Sequence, residues 1–150
     1  MSIRKLIYRL AKIYWRITRP ITVGVRIMMI KDNKVLLVKH TYQDRWYIPG
    51  GGVKKSERLD QAIRREVLEE LGGELGAIEL FGAYTNFFEY KNDHVVIFYS
   101  EEFLISGETD SEIGEYRLFD LDKLPANISP GSKRRIEEYL KGEKSRVGKW

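Results

Sequence analysis

Between Glu57 and Glu70 the chain reads ERLDQAIRREVLEE. On a helix, Glu66, Glu69 and Glu70 stand at i, i+3 and i+4, so their carboxylates share one face. Leu59, Ala62, Ile63, Val67 and Leu71 fall on the other face and can bury against a sheet. Like charges at that spacing cost a helix a few tenths of a kcal/mol per pair unless something neutralises them. Magnesium or manganese suits the task, because hard cations take oxygen ligands. Three glycines, Gly50, Gly51 and Gly52, precede the acidic segment. A glycine-rich turn lets backbone N–H and C=O groups approach a ligand closely, and its carbonyls can complete a magnesium shell. Arg65, beside Glu66, can orient a carboxylate or pair with phosphate.

Composition narrows the chemistry further. The 150 residues suit one domain, and the chain has no cysteine and two histidines, His40 and His94. Disulfides, thiolate metal sites and cysteine nucleophiles are excluded, and a multi-histidine zinc site is disfavoured. Net charge is +4, yet Arg4, Lys5, Arg9, Lys12, Arg16 and Arg19 all lie in the first twenty residues, which hold no acid. Of the 26 basic residues this leaves 20, against 22 acidic ones, in the rest of the chain. The basic character belongs to one arm. Without a continuous apolar leader or a membrane-length run, the expected location is cytoplasmic.

The elements that must position the glutamates are read from periodicity. Ile3, Leu6, Ile7, Leu10, Ile13, Tyr14 and Ile17 recur at helical spacing, so residues 3–17 form an amphipathic helix, capped by Ser2 and stopped at Pro20. It is expected to dock on the domain with its charges solvated; a contact with anionic membrane or RNA is the sharper alternative. Thr22 to Ile30 and Lys34 to Lys39 form a strand pair around a turn at Lys31-Asp32-Asn33. Tyr42 to Pro49 is a loop leading to the glycines, and a helix runs from about Leu59 to Leu71, ended by Gly72 and Gly73. Ile78 to Phe88 and His94 to Leu104 make a hairpin around Lys91-Asn92-Asp93. Glu101 to Gly114 reads as a loop, Tyr116 to Leu121 as a short strand, and Ser132 to Lys141 as a helix ended by Gly142. The tail beyond is expected to fray. The parts are thus a basic helix over 1–19, a domain over 20–142 and a tail over 143–150, in an α+β or α/β/α sandwich.

Gly51, Glu57, Arg65, Glu66, Val67, Glu69, Glu70 and Gly72 together resemble the Nudix box: glycine, five residues, glutamate, seven residues, then Arg-Glu-aliphatic-any-Glu-Glu-any-Gly-aliphatic. Only the last position departs, with Gly73 where the family packs an aliphatic residue. Leu36-Leu37-Val38-Lys39, Trp46-Tyr47-Ile48-Pro49 and Asp120-Leu121-Asp122-Lys123-Leu124-Pro125 are similar to flanking segments of the same MutT-like family. The resemblance covers residues 22–140, with its specific part in residues 42–73, and implies a Nudix-type α/β/α sandwich with a mixed central sheet and an additional N-terminal helix.

The resemblance also implies roles. Metal ligands fall on Glu66, Glu69, Glu70 and the carbonyl of Gly50, holding Mg2+ or Mn2+. Glu57 and Arg65 correspond to the ion pair that fixes loop and helix. A further glutamate from a late loop is assigned to Glu112, with Glu108 and Glu115 as rivals. The implied reaction is metal-assisted attack of water on phosphorus, with Glu69 or Glu112 as base and no covalent intermediate. Tyr84, Asn86, Phe87 and Phe88 stand where the family builds its substrate pocket, and equally where a strand would pack.

Outside the box, Arg26 interrupts an apolar strand and either enters a substrate cleft or faces solvent. Lys39 leans towards a phosphate role. Trp46 and Tyr47 could stack on a base, although aromatics there more often join a core. His94 reads as an ordinary strand residue, and Lys133-Arg134-Arg135 as a solvated face. The expected substrate is a nucleoside diphosphate linked to another moiety. Phe88 stands near the place where ADP-ribose members carry a proline, the Ser-Gln-Pro-Trp pattern of NADH members is absent, and Tyr90 is weak support for a dinucleoside polyphosphate. The alternatives are removal of pyrophosphate from RNA 5′ ends, with the basic arm on the RNA backbone, and a catalytically silent binding module, which would be expected to lack box glutamates. A homodimer is left open.

Overall fold

The computed structural model describes residues 3–150, the side chains of Arg4 and Lys5 excepted; the expected cap at Ser2 lies outside the described residues. Helix α1 (Ile3–Thr18) leads into β1 (Ile21–Lys31) and β2 (Lys34–His40), followed by the short strands β3 (Trp46–Tyr47) and β4 (Gly50–Gly52). Helix α2 (Leu59–Leu71) then precedes β5 (Gly73–Leu75), β6 (Glu79–Phe88), β7 (Lys91–Ser100), β8 (Phe103–Ile105) and β9 (Ile113–Asp120). Helix α3 (Pro130–Leu140) and β10 (Arg146–Lys149) close the chain.

The main sheet is mixed, in the order β10-β6-β7-β1-β2-β3, with β4 pairing β1 and β9 pairing β2; β5 and β8 form a separate pair. The β1–β2 turn is where the sequence puts it, with Asp32 and Asn33 both at positive φ, the backbone a two-residue hairpin turn needs. The two strands then part after Ile30↔Val35, because β1 continues alongside β7 and β4 while β2 takes β9 and β3. This split opens the sheet beside the three glycines.

Strand alternation builds the two cores of the expected sandwich. Val25, Ile27 and Met29 pack with Leu36, Val38 and the apolar face of α2, namely Ala62, Ile63, Val67 and Leu71. Met28, Ile30, Val35 and Leu37 pack on the opposite side with Trp46, Phe81, Ile97 and Ile136 of α3. A strand buried on both faces explains why residues 25–30 read as a nearly continuous apolar run.

Several expectations are corrected. The hairpin turn falls at Glu89-Tyr90, both at positive φ, and Lys91-Asn92-Asp93 belongs to β7. The region 101–114 contains β8 and the start of β9. The glycines form a strand antiparallel to β1 instead of a turn. The tail does not fray: β10 runs parallel to β6, and Trp150 packs beside Tyr84, with ring centroids 6.5 Å apart. Arg135 is not a solvated cation; it is 2% exposed, 3.6 Å over the Tyr84 ring, and bonded to Glu138.

Helix α1 is also not docked by its apolar stripe. Ile3, Leu6, Ile7, Leu10, Ile13, Tyr14 and Ile17 are all exposed. The contacts come from the other side: Tyr8 and Lys12 reach Glu89, Lys91 lies 4.0 Å over the Trp15 ring, and Arg16 approaches Tyr90. A two-residue hairpin tip offers charge and aromatic edges and no apolar groove, so it holds the helix by its polar flank. Among the described residues no helix is long and apolar enough to cross a membrane.

Candidate active site

The site is assembled where β4 lies between β1 and α2. Gly50, Gly51 and Gly52 pair with Arg26, Val25 and Gly24. Two of the three glycines are required by close approach. Gly50 has φ 142°, and a Cβ there would stand 2.0 Å from the Val25 carbonyl oxygen. At Gly51 a Cβ would stand 2.6 Å from the Glu66 carboxyl carbon, so the missing side chain is what lets that carboxylate lie over the strand. Gly52 faces open space. Helix α2 starts with the Arg58 N–H donating to Gln61 and ends at Gly72 in the left-handed region, whose N–H donates to the Leu68 carbonyl.

Arg65 organises the acidic face. Its Nε donates to Glu57 Oε1 (2.7 Å) and its Nη2 to Glu57 Oε2 (3.0 Å), a bidentate pair. Nη1 donates to Glu66 Oε1 (2.7 Å) and Glu69 Oε2 (3.1 Å), and Nη2 also donates to the Gly52 carbonyl (2.9 Å). One guanidinium thus ties the loop at Glu57, the strand at Gly52 and the helix face together. Glu57 also accepts the Lys54 N–H, and these donors hold its carboxyl down to about 2. Lys54 Nζ lies 3.6 Å from Glu69.

Glu70 is only 5% exposed and accepts the Gly50 N–H (3.0 Å). Burial raises the Glu66 carboxyl above the usual carboxylate range; Arg65 opposes that rise, and the neighbouring Glu70 and Glu69 add to it. The glutamates share one helix face as expected, but their carboxylates turn to different partners. Among the described residues, no three acidic or histidine side chains converge as a ready metal cluster.

The other expected site residues divide. Arg26 points inward and donates to the Ile48 carbonyl (2.9 Å) beside the Tyr47 ring. Burial disfavours its charge, and Glu70 is the leading group that offsets this. Glu112 is exposed, and its carbonyl accepts the Thr41 N–H, which brings it to the loop carrying Tyr42. The Tyr42 hydroxyl is raised by burial first, then by the charges of Glu112 and Glu70. Of the rivals, Glu108 sits by Gly72 at the far end of α2, and Glu115 pairs with Arg117.

Lys39 pairs with Asp44 at 3.8 Å and stands in register with Trp46, apart from the box. Trp46 is a core residue, 6% exposed with its ring 4.9 Å from that of Phe119. Tyr84 is likewise buried, its hydroxyl bonded to Glu138 and pushed up to about 12 by burial. Asn86 is half-buried on β6 opposite Asp93. His94 contacts Thr85 within the sheet, as an ordinary strand residue does.

Sequence reasoning missed His40, whose Nε2 lies 3.7 Å from Glu70 and whose buried Nδ1 has no partner among the described residues. It also missed Tyr42 and Lys54. A polar residue ending a strand one loop before the glycines was the only available signal for His40. A concavity of about 700 Å3 lined by Asn33, Tyr99, Tyr139 and Lys144 holds none of the box glutamates. The carboxylate chemistry, and not cavity size, therefore identifies the site.

The chain is similar to several known proteins. The NUDIX domain model matches residues 19–139. Over 84 residues the chain is 36% identical to an RNA pyrophosphohydrolase of Hydrogenovibrio crunogenus, covering 55% of this chain and 50% of that one. Over 124 residues it is 29% identical to an ADP-ribose pyrophosphatase of Methanocaldococcus jannaschii, covering 79% and 73%. It is 37% identical over 90 residues to diphosphoinositol polyphosphate phosphohydrolase 2 of Rattus norvegicus, covering 58% and 49%. The chain thus spans about half the length of the first and third of these relatives. Its fold is similar to that of a MutT NUDIX hydrolase from Burkholderia pseudomallei, with TM-score 0.72, 22% identity, and coverage of 78% of this chain and 96% of that one. With the glycine strand, the Arg65-centred carboxylate face and a domain match over most of its length, this chain belongs to the NUDIX family.

Proposed function

We propose that the chain is a Mg2+- or Mn2+-dependent pyrophosphohydrolase that cleaves a phosphoanhydride bond in a nucleoside diphosphate linked to another moiety. The observation that carries this reading is the contact of the Glu66 carboxylate with Gly51, which leaves no room for a Cβ. It puts a half-buried carboxylate, crowded by Glu69 and Glu70, against bare backbone. The donor set has the chemistry of a hard divalent ion's shell, with oxygens from Glu66, Glu69, Glu70 and the Gly50 carbonyl, Glu112 on the loop bonded to Thr41, and no thiolate; the carboxylates would have to swing together to hold the ion. When bound, such an ion neutralises phosphate charge and lowers the pKa of water.

The chain's own groups supply the remaining functions. Arg65 holds Glu66 and Glu69 at fixed positions through Nη1, so little reorganisation is needed as charge develops. Glu69, the most exposed of the three helix carboxylates, and Glu112 are the groups open to water and able to take its proton. Arg26, which lies beside the Tyr47 ring and close enough to Glu70 to be stabilised by its charge, binds or orients the substrate.

A phosphate-release screen over a nucleotide panel, with Mg2+ and with Mn2+, tests the reading. Glu69→Gln and Glu70→Gln should each lose at least about 100-fold in kcat. Near wild-type turnover in both variants sinks the assignment. The match to an RNA pyrophosphohydrolase, together with the basic first helix, favours one second reading: removal of pyrophosphate from RNA 5′ ends. It requires RNA binding that weakens steeply with salt, and binding that stays flat refutes it.

A further inference from the structure

We propose that α1 docks on an anionic lipid surface, with its apolar stripe in the interface and the exposed Arg9, beside that stripe, at headgroup level. At 3.6 residues per turn, Ile3, Leu6, Ile7, Leu10, Ile13, Tyr14 and Ile17 fall within roughly one third of the helix circumference. All seven are exposed, Ile17 to 77%. The helix cannot turn this stripe onto its own domain without giving up its present attachment, because Tyr8, Lys12, Trp15 and Arg16 on the opposite flank hold the β6–β7 hairpin tip. The domain therefore holds the helix in place with its stripe turned away from the hairpin.

Charge selects the occupant. The first twenty residues carry six basic groups and no acid, whereas the rest of the chain is slightly acidic. Such a distribution matches a negatively charged surface met by one end of the molecule. A second copy of the chain is a poorer fit, since two such helices face to face would align basic flanks with no acidic residue on either helix to pair across. RNA would use the charges and leave the apolar stripe in water. At about 1.5 Å per residue, a helix of 16 residues is too short to span a bilayer and lies along its surface.

The test is co-sedimentation of the full-length protein with vesicles of phosphatidylcholine alone and of phosphatidylcholine mixed with phosphatidylglycerol. Binding is expected on the mixed vesicles only, and should weaken as salt rises. The double variant Leu10→Asp, Ile13→Asp should lose at least about tenfold in vesicle affinity, because both side chains supply buried apolar area on lipid. Arg9→Gln should weaken binding about fivefold on the anionic vesicles. All three residues changed are exposed, so melting temperature and phosphate release in solution should match the parent protein. Equal binding to both vesicle types, undiminished binding by the double variant, or no binding by the parent protein each overturns the proposal. A concentration-dependent dimer that the double variant abolishes, without vesicle binding, assigns the stripe to a second copy. Binding to an RNA homopolymer that ignores the double variant, without vesicle binding, assigns the charges to nucleic acid.

Discussion

Alanine at each of the three glycines separates folding from chemistry in a way the structure specifies. At Gly51 the added Cβ meets the Glu66 carboxyl carbon at 2.6 Å. Ordinary carbon contacts begin near 3.4 Å, so the carboxylate must withdraw by about 0.8 Å. It is the far end of a flexible side chain and can do so at small cost to folding. Gly51 also has an ordinary φ, so alanine loses nothing in backbone strain and lowers the entropy of the unfolded chain. Melting temperature should then stay within about 4 °C of the parent protein. Turnover should not, since a misplacement of about 1 Å in a catalytic group costs on the order of 100-fold. Gly50→Ala should behave in the opposite way. Its Cβ would meet the Val25 carbonyl oxygen at 2.0 Å, a backbone atom that cannot retreat, and its φ of 142° is unfavourable for alanine. That variant should lose about 3 kcal/mol or more of stability. Gly52→Ala, with nothing within 4 Å, is the neutral control. Initial rates of phosphate release and thermal melts on all three variants make the comparison. A Gly51→Ala protein with parental kcat would refute the reasoning, as would one whose activity falls only in step with its melting temperature.

Three other outcomes follow from the same geometry. Arg65→Lys should lose most activity, because one ammonium cannot span the acceptors on Glu57, Glu66, Glu69 and Gly52 that the guanidinium reaches; kinetics that match the parent protein would count against this. Glu57 has a folded pKa of about 2, below its unfolded value of 4.5, so its stabilising contribution is complete above 4.5 and disappears as pH falls through about 2. Melts of the parent protein and Glu57→Gln should accordingly differ at neutral pH and converge across that acid window, and a gap that persists undiminished at the acid end contradicts it. Trp150→Ala should cost about 2 kcal/mol in denaturant unfolding, less than a fully buried tryptophan, because its ring lies against Tyr84, Arg135 and Gly131. An unchanged midpoint would return the C-terminus to a frayed tail.

The parts of the fold visible in the sequence are those governed by local period and local chemistry. Helix α2 is legible in its bounds, because Ala62, Ile63, Val67 and Leu71 mark its buried face and Gly72 its end, although Leu59, expected on that face, is exposed. The β1–β2 turn is legible because Asp32 and Asn33 tolerate positive φ. At Glu89-Tyr90 the same backbone conformation is imposed on residues with no such preference, so residue type alone points two residues too far along, to Lys91-Asn92-Asp93. The tail is illegible for another reason. Arg146 to Lys149 has no strand signature of its own and becomes ordered only because β6 offers an edge and Trp150 finds Tyr84 and Arg135. The orientation of α1 follows similar logic: its stripe was plain in the sequence, but which side touches the domain was set by Glu89 and Tyr90, far along the chain.

Within the site, the box residues were legible because their spacing is short-range, whereas the surrounding residues depend on how distant loops meet. That surrounding shell explains how the carboxylates divide their work. Glu57 is saturated by Arg65 and the Lys54 N–H, so its charge is fully committed to holding the loop. Glu70 is committed to the Gly50 N–H and lies near Arg26, whose buried charge in turn depends on it. Glu66 is different: burial and two like charges work against its ionised form, and Arg65 contacts only its Oε1. Within one loop-and-helix unit, one carboxylate is thus held low by its donors and another is raised by burial and like charge. On the proposed reading the three helix glutamates share the cation, yet each is held differently: Glu66 against the glycine strand, Glu69 by Arg65 and Lys54, and Glu70 by the Gly50 N–H. Arg65 offsets their mutual repulsion while it is anchored on Glu57, with the crowded Glu66 against the glycine strand.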